Sequence, residues 1–376
     1  MSKFSMKRKI VAPFSGLVAV ILSTVLAWAT PAYRADTVVD GLDMPWGIAF
    51  LPDGDMLVTE LGGKLRLVRN GALVRGEVSG VPAVYRAGQG GLMDIILHPN
   101  FAENQQVYLS LAVGTPEANA LRVIRGRFTG DQLEDVQTVF EAAPRKNTPV
   151  HYGGRMTFLP DNSLLITVGD GFDYRERAQS IADHFGSIVR VTDDGKVPSD
   201  NPFHDQDRAQ PEIWSYGHRN AQSIIYDAQR GIVWETEHGP RGGDELNIIE
   251  PGHNYGWPAI TYGIDYTGAR ISPFTEYEGM DQPVTYWVPS IGPSGMTVYR
   301  GGAFPEWDGD IFVSSLVFNH VVRLDMDGRS VAGQENLFGE LDARVRDVRT
   351  GPDGALYLLL EGENGRIVRI SPEVDG

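Results

Sequence analysis

A strand, a Pro-Asp-Gly or Pro-Asp-Asn turn and a second strand recur along this chain, and that hairpin limits its fold more than any other feature. Clear copies are IAFLPDGDMLVTE (48–60), MTFLPDNSLLITVGD (156–170) and VRTGPDGALYLLLEG (348–362). Looser ones are IIYDAQRGIVWETEHG (224–239) and VYRGGAFPEWDGDIFVSSL (298–316). Proline presets φ for the turn, and Gly or Asn accepts the positive φ that follows. GGKLRLVRNG (62–71) and NHVVRLDMDG (319–328) supply the strands that follow such hairpins. Helical periodicity is nearly absent beyond the N-terminus. One turn motif dispersed along a long all-β chain is the pattern of a β-propeller. A β-sandwich, the alternative, rarely needs 376 residues or repeats one turn this often. The expected fold class is therefore all-β, a six-bladed β-propeller with four-stranded antiparallel blades. The blades fall near 38–85, 86–148, 149–208, 209–285, 286–336 and 337–371, so residues 38–371 are expected to form a single propeller domain. The second blade has no clean Pro-Asp-Gly signal.

Residues 1–29 stand apart. Lys3, Lys7, Arg8 and Lys9 precede an apolar run through VAVILSTVLAW and the small-residue pattern Ala27-Trp28-Ala29. This is the anatomy of a secretory signal peptide, cleaved after Ala29 or Ala32, and it implies a periplasmic or secreted protein. The alternative is a retained membrane anchor. With no cysteine, an exported chain must draw its stability from core burial, with or without a bound ion, rather than from disulfides. The formal net charge of −16 grows more negative without the leader's cations, and such a surface repels phosphate backbones, which argues against nucleic acid as a partner.

Five segments hold more functional side chains than turns require. They are YRAGQGGLMDIILHPN (85–100) with Gln89, HYGGRMTF (151–158) with His151, WSYGHRNAQ (214–222) with Arg219 and Asn220, TEHGPRGGDELNIIEPGHNYGWP (236–258), and ARVRDVR (343–349). Strand alternation puts Arg344 and Arg346 of the last on one face. Taken singly, each has a plain structural explanation: a turn glutamine, a histidine that hydrogen-bonds a loop, arginines that pair with surface acids. Together, several arginines converging with a histidine and a glutamine near one axis would be electrostatically costly without an anionic ligand. A small, multiply charged anion over the channel, with a base nearby, is the expectation.

MPWGIAFLPDGDMLVTE, GQGGLMDIILHPNF, HYGGRMTFLPD, EIWSYGHRN, EHGPRGGDELN, GHNYGWP and RVRDVRTGPDGALY, in that order from Val39 to Arg369, resemble the soluble quinoprotein glucose/aldose sugar dehydrogenases. Those are six-bladed propellers that use pyrroloquinoline quinone (PQQ), which carries three carboxylates, together with Ca²⁺. The resemblance implies that His151 is the general base for the sugar's anomeric hydroxyl, that hydride passes to the quinone, and that Arg219 stabilises the charge developing there. It implies that Gln89 and Trp287 contact the sugar. Asn220, Arg344 and Arg346 would contact PQQ, a guanidinium fork being better than a point charge on a carboxylate. Backbone carbonyls of Gly239 and Pro240 would ligate the Ca²⁺ that also binds PQQ, a stiff corner presenting hard oxygens. Glu245, Tyr255 and Asp265 resemble a second, structural Ca²⁺ site. His238 is assigned a structural role, since no second histidine stands at ligand spacing. The implied partners are an aldose and an external electron acceptor such as a dye, a quinone or a small redox protein.

The chain also departs from the glucose-oxidising members. Val150 stands where they carry an acid beside the base, Val317 where they carry a lysine to the cofactor, and Gly171 where they carry a polar contact. Two other functions stay open at this level. A Ca²⁺-dependent lactonase-like hydrolase would want several acids and amides around one ion in the channel. A non-catalytic carbohydrate- or protein-binding propeller would have no use for His151.

Overall fold

The computed structural model describes residues 30–373, so the leader expected over 1–29 lies outside the described residues. From Tyr33 onwards the chain is one compact unit. Six four-stranded antiparallel sheets form a six-bladed β-propeller. Each sheet begins with an innermost strand, and these six are Pro45–Phe50, Leu92–Leu97, Gly153–Phe158, Ala221–Asp227, Pro293–Val298 and Val345–Thr350.

Two boundaries differ from the sequence expectation: strand Ile213–Tyr216, expected to open the fourth blade, pairs with Ser187–Val191 and completes the third, and the N-terminal strand is displaced as well. Strand Tyr33–Leu42 does not open the first blade; it pairs with Gly365–Pro372 and completes the sixth. The last three strands of the chain cannot fill a four-stranded sheet alone, so the N-terminal strand closes the ring. In the second blade the missing Pro-Asp-Gly turn is replaced by a single helical turn, Phe101–Asn104, ending on Gln105 with φ of 55°.

Hydrophobic layers lie between consecutive sheets rather than in one central core. Leu57, Leu67, Leu92 and Leu109 fill the space between blades one and two. Trp234, Leu246, Met296 and Val313 fill that between four and five. Strand alternation supplies this arrangement, because each sheet is apolar on both faces and needs a neighbour on either side. The channel is not an open pore. Arg155 bridges Asp94 at 3.2 Å and Asp347 at 3.3 Å, and Arg349 lies 3.3 and 3.0 Å from the same two carboxylates, joining blades two, three and six.

Every innermost strand breaks register within its first few residues, at Pro45/Gly47, Leu92/Ile95, Gly153/Met156, Ala221/Ser223, Pro293/Met296 and Val345/Asp347. A bulge re-aims side chains that strict alternation would send into the layers between sheets. All six bulges sit at the same end of the channel, and that end carries the site.

Candidate active site

A cavity of about 790 Å³ opens where the innermost strands begin, walled by Trp46, Met93, Gly153, Gln222, Gly292 and Arg346 among others. Its charged wall is Arg86, Arg241, Arg344, Arg346 and one carboxylate, Glu361. An acidic chain of formal net charge −16 has thus concentrated positive charge in this cavity. Glu361 serves both Arg344, just before the strand, and Arg346 within it, accepting from Arg344 Nε at 3.0 Å and Arg346 Nη2 at 2.8 Å. It is therefore an internal counterion, and burial, which works to raise its pKa, is outweighed by the two guanidiniums. Arg346 Nη1 also donates to Ser294 Oγ at 3.3 Å, yet its Nε is buried with no hydrogen-bond partner. A buried donor left open on a guanidinium is a place for an anionic oxygen.

His151 does not line this cavity, although its hydrogen-bond partner Gln89 and the next two residues, Tyr152 and Gly153, do. Its Nδ1 lies 2.7 Å from Asp170 Oδ1, and its backbone N–H donates to Gln89 Oε1 at 2.7 Å. Trp257 Nε1 and the Phe172 N–H each donate to the same Asp170 carboxylate at 2.8 Å. Burial works to raise the Asp170 pKa, but the His151 hydrogen bond, the His151 and Arg219 charges and the Phe172 N–H together hold it below the ordinary carboxylate value. An ionised acceptor on Nδ1 fixes the proton there and leaves the Nε2 lone pair free. Burial pushes the His151 pKa down; Asp170 opposes it, while Arg219 and Lys146 push the same way. The result is a neutral, oriented imidazole, which is what a general base requires.

Arg219 stands on the other side of Asp170. Its Nη1 donates to the carbonyls of His238 at 3.1 Å and Gly239 at 2.7 Å, its Nη2 reaches Tyr266 Oη at 3.4 Å, and it lies over the Trp257 ring at 5.3 Å. Its backbone N–H donates to Glu237. Phe172 and Tyr266, ring centroids 6.2 Å apart, stack at the boundary, and Tyr266 and Pro240 border both the main cavity and a neighbouring one of about 250 Å³ that contains Arg219 and Asp170. Gln89 lines the main cavity and its amide nitrogen has no partner among the described residues. Asn220 Oδ1 accepts from the Gly153 N–H at 3.2 Å.

Gly239 and Pro240 border the main cavity. Asp244 Oδ1 accepts from the Gly239 N–H at 2.8 Å, while its Oδ2 takes Ser290 Oγ, Ile291 N and Gly292 N, so one buried carboxylate pins this corner to the fifth blade. A side chain at Gly239 would collide with the backbone of Gly242 and Gly243. His238 Nε2 lies 2.7 Å from the Pro293 carbonyl, a structural contact. Behind the corner, Glu245 and Tyr255 share a cavity of about 10 Å³ with Glu237. Nearby, ligand atoms of His218, Glu235 and Glu237 lie within 4.8 Å of one another. Burial, with Glu237 adding to it, raises the pKa of both Glu235 and Glu245. Glu235 Oε1 and Asn247 Oδ1 are buried acceptors without partners.

Residues 42–369 match the model of the glucose/sorbosone dehydrogenase family. The chain belongs to that family. It is 40% identical over 364 residues to the aldose sugar dehydrogenase YliI of Escherichia coli, covering 95% of this chain and 98% of the relative. The crystal structure of the soluble aldose sugar dehydrogenase of E. coli in the apo-form superposes with a TM-score of 0.88 at 39% identity, covering 91% of this chain and all of that one. The PQQ-bound aldose sugar dehydrogenase of Streptomyces coelicolor gives 0.74 at 28% identity, over 92% of this chain and all of that one.

Within this glucose/sorbosone dehydrogenase scaffold, two expected site residues lie elsewhere. Trp287 was expected at the sugar; instead it is buried between blades four and five with Trp234, Leu246 and Met296, its Nε1 3.2 Å from Gln334 Oε1. Strand alternation turns its indole into that layer, and the next residues, Val288 and Pro289, line the cavity. Asp265 does not join Glu245 and Tyr255. It caps its own loop through Thr267 and pairs with Arg175 at 3.3 Å. Val317 does line the main cavity and is exposed. Asp170, Glu361, Asp244, Trp257 and Lys146 escaped the sequence. Asp170 and Glu361 end strands at Gly-rich turns, where an acid is ordinary; only their long-range partners distinguish them.

Proposed function

We propose that this chain oxidises the anomeric carbon of aldose sugars to lactones with PQQ and Ca²⁺, in the periplasm or as a secreted protein, passing electrons to an external acceptor. The observation carrying this is the cavity that holds four arginines against one carboxylate in an otherwise acidic chain, reached by Gln89, Tyr152 and Gly153 of the loop and partner that hold the base. Arg344 and Arg346 would hold PQQ carboxylates, the unpartnered Arg346 Nε among the donors. The Gly239 and Pro240 carbonyls would ligate Ca²⁺, hard oxygens suiting that ion, with Arg219 Nη1 giving up the Gly239 carbonyl to which it donates at 2.7 Å. Bound PQQ supplies the two-electron acceptor for the anomeric hydrogen.

The chain's own residues handle the sugar and the proton. The free Gln89 amide nitrogen can donate to a sugar oxygen while Gln89 Oε1 holds the His151 backbone. His151 Nε2 takes the anomeric hydroxyl proton, and Asp170 stabilises the imidazolium that forms without taking the proton itself. Arg219 directs positive charge at the region where negative charge develops. A second Ca²⁺ would use Glu235, whose Oε1 is a buried acceptor without a partner, together with Glu237 beside it and Glu245 across the small cavity. A hydrolase is disfavoured because its channel would present acids where this cavity presents arginines.

The test is dye reduction by the purified chain with a panel of aldoses, with and without PQQ and Ca²⁺. Reduction that requires both additions is expected. Stoichiometric PQQ binding without reduction by any aldose would overturn the substrate, and no PQQ binding would overturn the whole proposal.

A further inference from the structure

We propose that Lys146 is a positioning residue for the base, its buried ammonium tethering the loop that delivers His151 and setting the charge the imidazole faces. The inference rests on the assignment of His151 as base made above, while its geometry stands independently of any cofactor.

Lys146 is 5% exposed. Its Nζ donates to the carbonyls of Thr148 at 2.6 Å and Val150 at 2.7 Å, and lies 3.5 Å over the Tyr152 ring. No carboxylate stands within ion-pair distance of it among the described residues. A buried ammonium without a paired carboxylate is costly, and an apolar side chain of similar volume would pack there without that penalty. What the ammonium does hold is the backbone immediately before His151, which adopts φ of 52°, a left-handed conformation uncommon outside glycine. The rest of that loop is anchored too: Gln89 N–H to the Pro149 carbonyl at 2.9 Å, and Thr148 Oγ1 to the Gly171 carbonyl at 2.7 Å.

Gly171 belongs to the same device. Its φ is 69°, and a Cβ built there would come 2.9 Å from Lys146 Cδ. The residue that looked like a lost cofactor contact is where the lysine stem needs room.

Lys146 and His151 both line one small cavity. Asp170 and Arg219 face the imidazole; Asp170, Tyr152 with Tyr85 behind it, and His184 across the cavity face the ammonium. Burial lowers the Lys146 pKa to about 7, against the pull of Asp170. While charged, Lys146 disfavours imidazolium, so removing it raises the His151 pKa.

The experiment is a histidine-labelled NMR titration of the full chain without PQQ or sugar, His151 being assigned with His151→Gln. Lys146→Met and Lys146→Arg are compared with the unaltered chain, and kcat and KM are then followed against pH with PQQ and Ca²⁺. Lys146→Met is expected to raise the His151 pKa by about half to one unit. It should lower kcat roughly 10- to 100-fold through displacement of the base while KM for the sugar holds. Lys146→Arg should restore much of both. An unmoved His151 titration and unchanged kcat in Lys146→Met would overturn the proposal. If that variant fails to fold, a raised His151 pKa in Lys146→Arg, which stays charged, would overturn it instead. Because the NMR needs no cofactor, failure of sugar oxidation leaves this result readable.

Discussion

His151 Nδ1 and Asp170 Oδ1 meet at 2.7 Å although the loop of one and the strand end of the other are separated by a complete hairpin. The carboxylate fixes which nitrogen carries the proton. Asp170→Asn keeps the shape but removes the charge and lets the other tautomer form. It is expected to lower kcat about 100- to 10,000-fold with PQQ binding unchanged. Stopped-flow reduction and a PQQ titration check this; wild-type kcat in that variant would sink the role of Asp170.

Turnover needs neutral His151, whose pKa burial lowers from 6.5. A base with a depressed pKa is active above that pKa and lost as pH falls through it. The acid limb of kcat/KM should therefore have its midpoint below pH 6.5, flat above it as far as His151 is concerned. A midpoint above pH 7 would show that another group is the base.

Glu361 pairs with both Arg344 and Arg346, offsetting one of their two charges. Arg346→Ala should weaken PQQ binding by about 1.5–3 kcal/mol, the worth of a charged hydrogen bond, whereas Glu361→Gln should tighten it by freeing both guanidiniums. Calorimetric titration of the apoprotein separates these. Unchanged affinity in Arg346→Ala would remove the cavity arginines from cofactor binding.

Chelation should lower the Tm, because Glu235, Glu237 and Glu245 are then buried together without a cation. Adding Ca²⁺ at a hundred times its Kd should return about 2.7 kcal/mol. An unchanged Tm in chelator would mean that the acids need no ion.

Ring closure rests on Leu42, fully buried between the sixth and first blades. Leu42→Ala should cost about 2–5 kcal/mol, while exposed Asp40→Ala on the same strand should stay within about 0.5 kcal/mol. Urea unfolding measures both, and equal effects would show that the strand does not seal the ring.

The hairpins were legible because their turn chemistry is local: Pro-Asp-Gly sets its own dihedrals whatever surrounds it. His151, Arg219, Arg344 and Arg346 were legible as a group because charged side chains at strand starts are rare enough to notice. Trp287 was misplaced by a single step of strand alternation, since a one-residue change of register turns a side chain from a cavity to a core layer. Asp265 looked like an ion ligand, but an aspartate two residues before a threonine caps its own turn equally well.

Composition, turn spacing and strand alternation thus determined the propeller, its blade number and the excess of arginine among its loop residues. These depend on interactions within a few residues. The strand that closes the ring, the acid behind His151, the shared counterion Glu361 and the lysine beneath the base were decided only in three dimensions. The closing strand pairs the two ends of the described chain, and the other contacts join a loop to a strand end by side-chain directions that turn chemistry does not set, the bulges that aim them being fixed by how six strands converge on one axis.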